Sequence, residues 1–173
     1  MIRTDVVITT VDKMIRRVLV ALNIFADFRK TRFSNVIIGS VENFTKFCEF
    51  VASHQDCKEY ISRIAPVEEW LMYTLNTNLI ELIKPYIDKK LPLINDSFKV
   101  SCTFRGLSVS SHETSEILGE YAFTRIKALN PSVKVDLSQP KYEIIIESLG
   151  KKIGCGLITP ELRTICPKCR GRK

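Results

Sequence analysis

Cys166-Pro167-Lys168-Cys169 is the segment of this chain with the clearest chemical potential. Two thiols at this spacing can chelate one tetrahedral ion, and with basic residues after them the segment has the form of half a zinc ribbon. A single pair is only half of such a site. The other ligands would have to come from a second copy of the chain, which would make a zinc-linked homodimer, from a partner protein, or from His112. Zinc at Cys166 and Cys169 is therefore one expectation. A second is a redox or sulfur relay, because a thiolate beside Lys168 and Arg170 has a lowered pKa. The third is a disordered basic tail in which these cysteines have no role. The other four thiols read differently. Cys102 and Cys155 fall on inward strand positions, where a free thiol behaves as a small hydrophobe. Cys48 and Cys57 are expected to pack at the end of a helix and in the loop after it.

No catalytic set accompanies them. His54 and His112 are the only histidines, and neither stands at a spacing from Cys, Ser or a carboxylate that signals a nucleophile and its base. The seven glycines are scattered and form no phosphate-binding loop. Binding candidates are plainer. Lys99 and Arg105 fall on the polar face of one expected strand, Lys134 on that of a second, and Lys151 and Lys152 open a third. Cations placed so can neutralise phosphates. Ser110, Ser111 and His112 begin a helix whose free amides and partial positive charge suit a phosphate, with plain capping as the competing reading. Arg29, Lys30 and Arg32, between Phe28 and Phe33, fall in an expected loop where rings could stack on bases. The competing reading there is a solvated loop whose phenylalanines anchor the core.

These residues must be carried by a folded chain, and the composition permits one: 173 residues, 45% hydrophobic and 26% charged, describe a globular protein. The formal charge of +7 is unevenly spread, since the last eleven residues hold five cations and no acid, leaving +2 on the body. Asp5 near the start and the lack of a long apolar run argue against a secretory signal. Residues 18–26 are too short to span a membrane. A soluble, cytoplasmic protein with reduced cysteines is expected.

Before residue 66 the pattern reads β-α-β-α-β, with strands at 5–9, 35–40 and 59–64 and helices at 11–26 and 41–53. From 66 to 90 it reads helical, split near Asn76-Thr77-Asn78, with Asn78 as N-cap of the second part. A strand follows in which Phe98, Val100, Cys102 and Phe104 face the core and Lys99, Ser101, Thr103 and Arg105 face water. A helix then opens on a Ser110 to Glu113 capping box and presents Ile117, Leu118, Tyr121, Ala122, Ile126 and Leu129. Gly119, costly in a helix, suggests a close approach, most simply to a neighbouring strand. Three strands complete the pattern: 133–138, 142–147 and 152–158, the last with Gly154 and Gly156 leaving its outer face bare.

The strand ending in Arg105, the helix carrying Gly119, the turn Val135-Asp136-Leu137-Ser138-Gln139-Pro140 and the strand from Tyr142 to Glu147 together resemble the THUMP domain, a module that binds tRNA and delivers it to modifying enzymes. Lys141 departs from the family pattern, in which an Asp commonly follows the Pro. Arg63-Ile64-Ala65-Pro66-Val67 is similar to the segment that precedes THUMP in the adaptors of tRNA cytidine acetyltransferases. The resemblance implies an α+β fold: an N-terminal ferredoxin-like α/β sandwich over 1–65, a THUMP α/β domain over 66–160, and a basic Cys-x-x-Cys tail over 161–173. It implies a tRNA-binding adaptor that presents tRNA, through its acceptor arm and 3′ end, to a separate tRNA-modifying enzyme, an acetyltransferase by preference. The sequence shows no methyltransferase, deaminase or ATP pyrophosphatase domain of the kind that follows THUMP in related enzymes, so a non-catalytic role is expected. The alternative is a component of a tRNA thiolation enzyme that uses Cys166 and Cys169.

Overall fold

The structure, a computed structural model, describes residues 3–171 and divides into two compact units. One is built from the chain up to Glu68 together with Glu161–Arg170, the other from Glu69–Pro160 together with Gly171. Both mix helix with strand, the α+β class expected from the sequence.

The first unit runs β1 (Thr4–Thr10), α1 (Ile15–Phe25), β2 (Phe28–Lys30), β3 (Val36–Val41), α2 (Phe44–Ser53), α3 (Gln55–Tyr60) and β4 (Ile61–Val67). Its sheet is antiparallel throughout, in the order β2-β3-β1-β4. Val6, Val7 and Ile8 of central β1 are fully buried, as are Val18 and Leu22 of α1 and Phe47 of α2. Two elements differ from the sequence pattern. Residues 28–30, expected in a loop, form β2: Phe28 pairs with Gly39, whose missing Cβ leaves room for the phenyl ring, and that ring stacks on Phe47 at 5.6 Å. Residues 59 and 60, expected to open a strand, instead finish α3, because buried Cys57 draws that turn into the core.

The second unit runs β5 (Glu69–Met72), α4 (Leu79–Lys90), a 3₁₀ turn (Leu91–Leu93), β6 (Phe98–Thr103), α5 (Ser111–Leu129), β7 (Tyr142–Leu149) and β8 (Lys152–Ile158). The sheet order is β5-β8-β7-β6, with β6 and β7 parallel and the other pairs antiparallel. The parallel pair needs a crossover, and α5 supplies it. Helix α4 starts at the expected cap: the Asn78 side chain accepts from the Ile80 and Glu81 amides at 3.0 and 3.3 Å. The helical reading of 66–78 fails. Residues 69–72 pair with β8 as a strand, and Leu75, in the stretch that reads helical, is 86% exposed. The stripe on α5 also shifts, to Thr114, Leu118, Ala122 and Ile126, spaced four apart, while Ile117 and Leu129 face outward. Residues 133–138 make a single bridge, Val135 to Phe98, rather than a strand. The Asp136 carboxylate accepts from the Ser138 and Gln139 amides, each at 2.9 Å, and turns the chain.

Both faces of β6 are covered. Phe98, Val100 and Cys102 join the core under α4 and α5, and Ser101 and Thr103 on the opposite face are buried as well. At Gly171 a Cβ would collide with Ser101 and Glu143, so the end of the described chain lies against that second face.

Beyond β8, α6 (Pro160–Ile165) leads into the Cys166–Cys169 turn. The Ile64 amide donates to the Lys168 carbonyl at 2.9 Å and the Arg170 amide to the Ile64 carbonyl at 3.3 Å, so residues 168–170 line the outer edge of β4. Pro66 presents its donor-less nitrogen on that same edge, where β1 asks for no hydrogen bond. The expectation of a disordered tail therefore fails as far as Gly171. Arg172 and Lys173, two of its cations, lie outside the described residues.

Candidate nucleic-acid interface and thiol cluster

The cations expected on the polar face of β6 are held inward. Lys99 Nζ lies 3.1 Å from Glu143, and Arg105 Nη1 lies 2.6 Å from Glu147; both carboxylates are almost wholly enclosed. Glu143 also accepts from the Ser101 hydroxyl at 2.6 Å. The physical reason is burial of both sheet faces: an acid removed from water needs a paired cation, and the parallel register sets Lys99 beside Glu143. Both acids were legible as the ends of Glu143-Ile144-Ile145-Ile146-Glu147, which puts two carboxylates on one face of a strand that is otherwise core. The reading in which that face is wet hid them.

Ser110 caps α5 as expected, its hydroxyl accepting from the Glu113 amide at 3.2 Å. The neighbouring hydroxyls tie the helix to the edge strand. Ser111 Oγ accepts from the Phe104 amide and Ser115 Oγ from the Cys102 amide, each at 2.9 Å. His112 is exposed, 3.4 Å from Glu116. Beside this helix terminus lies an open cleft of about 1050 Å³. β6 forms one wall through Lys99 and Val100, α5 another through Ser111, His112 and Phe123, and the loop after Val133 a third through Val135 and Leu137. Val135 and Leu137 are largely exposed there, and Leu137 is 74% accessible. A Cβ on Gly119 would meet nothing within 4 Å. The close approach expected at Gly119 is absent, and the residue opens the helix face toward the cleft instead.

The cleft thus brings Lys99, Ser111 and His112 together, while Ser110, Arg105, Lys134, Lys151 and Lys152 are not on its lining. Lys134, Lys151 and Lys152 are solvent-exposed. In the first unit, Arg29 and Lys30 project from β2 as exposed side chains and Arg32 lies 5.0 Å over the Phe33 ring. Phe28 is core, so only Phe33 keeps an accessible ring beside these cations.

The thiols gather in a way the sequence did not disclose. Cys48 on α2 joins Cys166 and Cys169, with the three sulfurs within 4.8 Å of one another and all three residues buried. His112, the ligand expected from within the chain, is not in this group. Hydrogen bonds from Cys169 and Cys48, then from the Lys168 and Cys169 amides, pull the Cys166 thiol far below its usual range, against the cost of burial. The hydrogen bonds to Cys166 push Cys48 and Cys169 upward. The Lys168 ammonium donates to the Ile61 carbonyl and its pKa is lowered by desolvation first, then by Arg170. Three convergent thiols can bind a metal ion. Elsewhere, burial pushes Cys102 up to about 12 and Cys57 up to about 11, the behaviour of inert packed thiols.

Residues 76–157 match the THUMP domain. The match spans α4 through β8, and therefore the cleft, α5 and both buried ion pairs. No curated protein sequence matches the chain. Among solved structures, PH1313 from Pyrococcus horikoshii is similar over 90% of this chain and 55% of its own, at 18% identity and a TM-score of 0.51. TrmN from Thermus thermophilus is similar over 90% of this chain and 45% of its own, at 12% identity and a TM-score of 0.54. A 4-thiouridine synthetase solved as an RNA complex with bound ATP is similar over 90% of this chain and 41% of its own, at 11% identity and a TM-score of 0.50. At these identities the likeness is one of fold, and the chain spans roughly half the length of these structures or less. No helix among the described residues is long and apolar enough to cross a membrane.

Proposed function

We propose that this protein is a non-catalytic tRNA-binding adaptor that presents tRNA, by its acceptor arm and 3′ end, to a separate modifying enzyme in the cytoplasm. The THUMP match over residues 76–157 carries this reading. Its docking surface is the cleft beside the N-terminus of α5. The amides of the first helical turn offer contacts to phosphate, the accessible faces of Val135, Leu137 and Phe123 offer an apolar rest for an unstacked base, and the exposed Lys134 adds a cation outside the cleft lining. Lys151, Lys152, Arg29, Lys30 and Arg32 add sequence-independent attraction. Binding energy and orientation are the adaptor's contribution, and the partner supplies the chemistry.

Two features refine the proposal. The first unit has the order β-α-β-β-α-α-β with an antiparallel β2-β3-β1-β4 sheet, which supports a ferredoxin-like assignment. The Arg63 to Val67 segment, which is similar to the one that precedes THUMP in the acetyltransferase adaptors, favours a cytidine acetyltransferase as partner. The thiolation reading is weaker, because a sulfur carrier must expose its thiol to a partner, whereas Cys166 and Cys169 are 3% and 0% accessible.

The test is binding of the full chain to total tRNA, to tRNA lacking its 3′ terminal nucleotides and to duplex DNA across a salt series. The proposal expects binding selective for intact tRNA, weakened at least tenfold by trimming and by Gly119→Leu, which fills the cleft. Equal, steeply salt-dependent binding to all three ligands overturns it.

A further inference from the structure

The chain buries three thiols at one point, and this needs a reason that single buried cysteines do not. Cys102 and Cys155 belong to the apolar core of the second unit, where a thiol is only a small apolar side chain. Cys48, Cys166 and Cys169 instead converge from separate pieces of the first unit: the middle of α2, the end of α6 and the strand-like segment on the edge of β4. Around a tetrahedral zinc ion with Zn–S bonds of about 2.3 Å, thiolate sulfurs lie about 3.8 Å apart. Sulfurs already within 4.8 Å reach that spacing with small side-chain movements. The supporting shell is in place. The Lys168 and Cys169 amides both donate to the Cys166 sulfur, and the Cys169 amide also closes the turn on the Cys166 carbonyl at 2.8 Å. Backbone amides aimed at a ligating sulfur orient it and disperse its charge. Three thiolates around a divalent ion leave one net negative charge, and the Lys168 ammonium and Arg170 guanidinium are the cations of the same turn. Both are held by β4 carbonyls, Lys168 on Ile61 and Arg170 on Ser62 at 3.0 Å.

We propose that Cys48, Cys166 and Cys169 form a site for one zinc-class divalent ion, which fastens the C-terminal segment Glu161–Arg170 to α2 and β4. Among the described residues no fourth Cys, His, Asp or Glu joins the three. The site lies within one chain and needs neither a second copy nor His112. It is independent of tRNA binding.

The experiment uses the full chain purified under reducing, anaerobic conditions. Metal content is measured directly, and the zinc-depleted chain is titrated with cobalt(II), whose thiolate-to-metal charge-transfer absorption scales with the number of bound thiolates. The proposal expects one zinc per chain and a cobalt spectrum of three thiolates. Cys48→Ser should reduce the charge-transfer intensity by about a third and weaken cobalt binding at least tenfold, whereas Cys102→Ser should leave both unchanged. To guard against a variant that fails to fold, stepwise thiol modification of the unaltered chain should release the zinc as the three cysteines react. Failure of the unaltered chain to bind zinc or cobalt, a Cys48→Ser spectrum equal to that of the unaltered chain, or a Cys166–Cys169 disulfide in the freshly purified protein would overturn it.

Discussion

At the scale of single residues, position in the fold decides what a charge does. Lys99 and Arg105 have the sequence context of exposed cations, yet each neutralises an enclosed carboxylate. Removing one partner of such a pair leaves the other charge buried, which costs about 3–5 kcal/mol in general. Lys99 is partly accessible, 16% by side chain, so Lys99→Met should fall toward the low end, about 3 kcal/mol, measured by urea denaturation. Because Lys99 also lines the cleft, loss of tRNA binding in that variant combines damage to the fold with loss of a contact, whereas Lys134→Glu should leave the urea midpoint unchanged and weaken binding. Gly39 makes the same point through shape. Its Cβ would run into the Phe28 ring, so Gly39→Ala should cost about 1–3 kcal/mol through overpacking, read as a drop in melting temperature. At Gly119, where nothing lies within 4 Å, alanine should instead stabilise the helix by about 1 kcal/mol.

Elements owe their positions to partners that local pattern cannot name. α5 keeps its place because Ser115 accepts from the Cys102 amide of the edge strand β6 and Ser111 from the Phe104 amide just past it, a job for which the hydroxyls look merely like helix starters in sequence. The turn after Val133 depends on Asp136, whose carboxyl is held below its ordinary value of 3.8, first by the Gln139 amide and then by that of Ser138. A folded pKa below the unfolded one gives stability that is present above the unfolded value and is lost as pH falls through the folded one. Asp136→Asn should therefore melt at a lower temperature than the unaltered chain at pH 7, and the difference should shrink as the pH is lowered below the ordinary carboxylate value. Melting curves across that range check the sign.

On the scale of the whole molecule, net charge is a poor guide to a nucleic-acid surface, because two of the cations expected to meet phosphate are already paired inside the protein. The exposed cations remain, and for each phosphate that the protein no longer neutralises, the salt dependence of binding should flatten by about 0.7–0.9 in log–log slope. Reversing both Lys151 and Lys152 should therefore lower that slope by about 1.5 if both meet phosphate, a value read from binding isotherms at several salt concentrations. The sequence alone determined the mixed class, the cap at Asn78, the capped start of α5, the inward thiols Cys102 and Cys155 and the THUMP pattern, because these depend on local hydrogen bonding, on two- and four-residue periodicity and on short-range order along the chain. It misjudged residues 66–78 and 133–138, where apolar residues occur without the burial that usually accompanies them, as at exposed Leu75 and Leu137. Only the tertiary structure decided that both faces of β6 are covered, that Glu143 and Glu147 claim Lys99 and Arg105, and that Cys48 meets Cys166 and Cys169. Those outcomes rest on strand register and on the packing of segments far apart in the chain, and no periodicity within a single segment encodes which distant side chain will stand opposite.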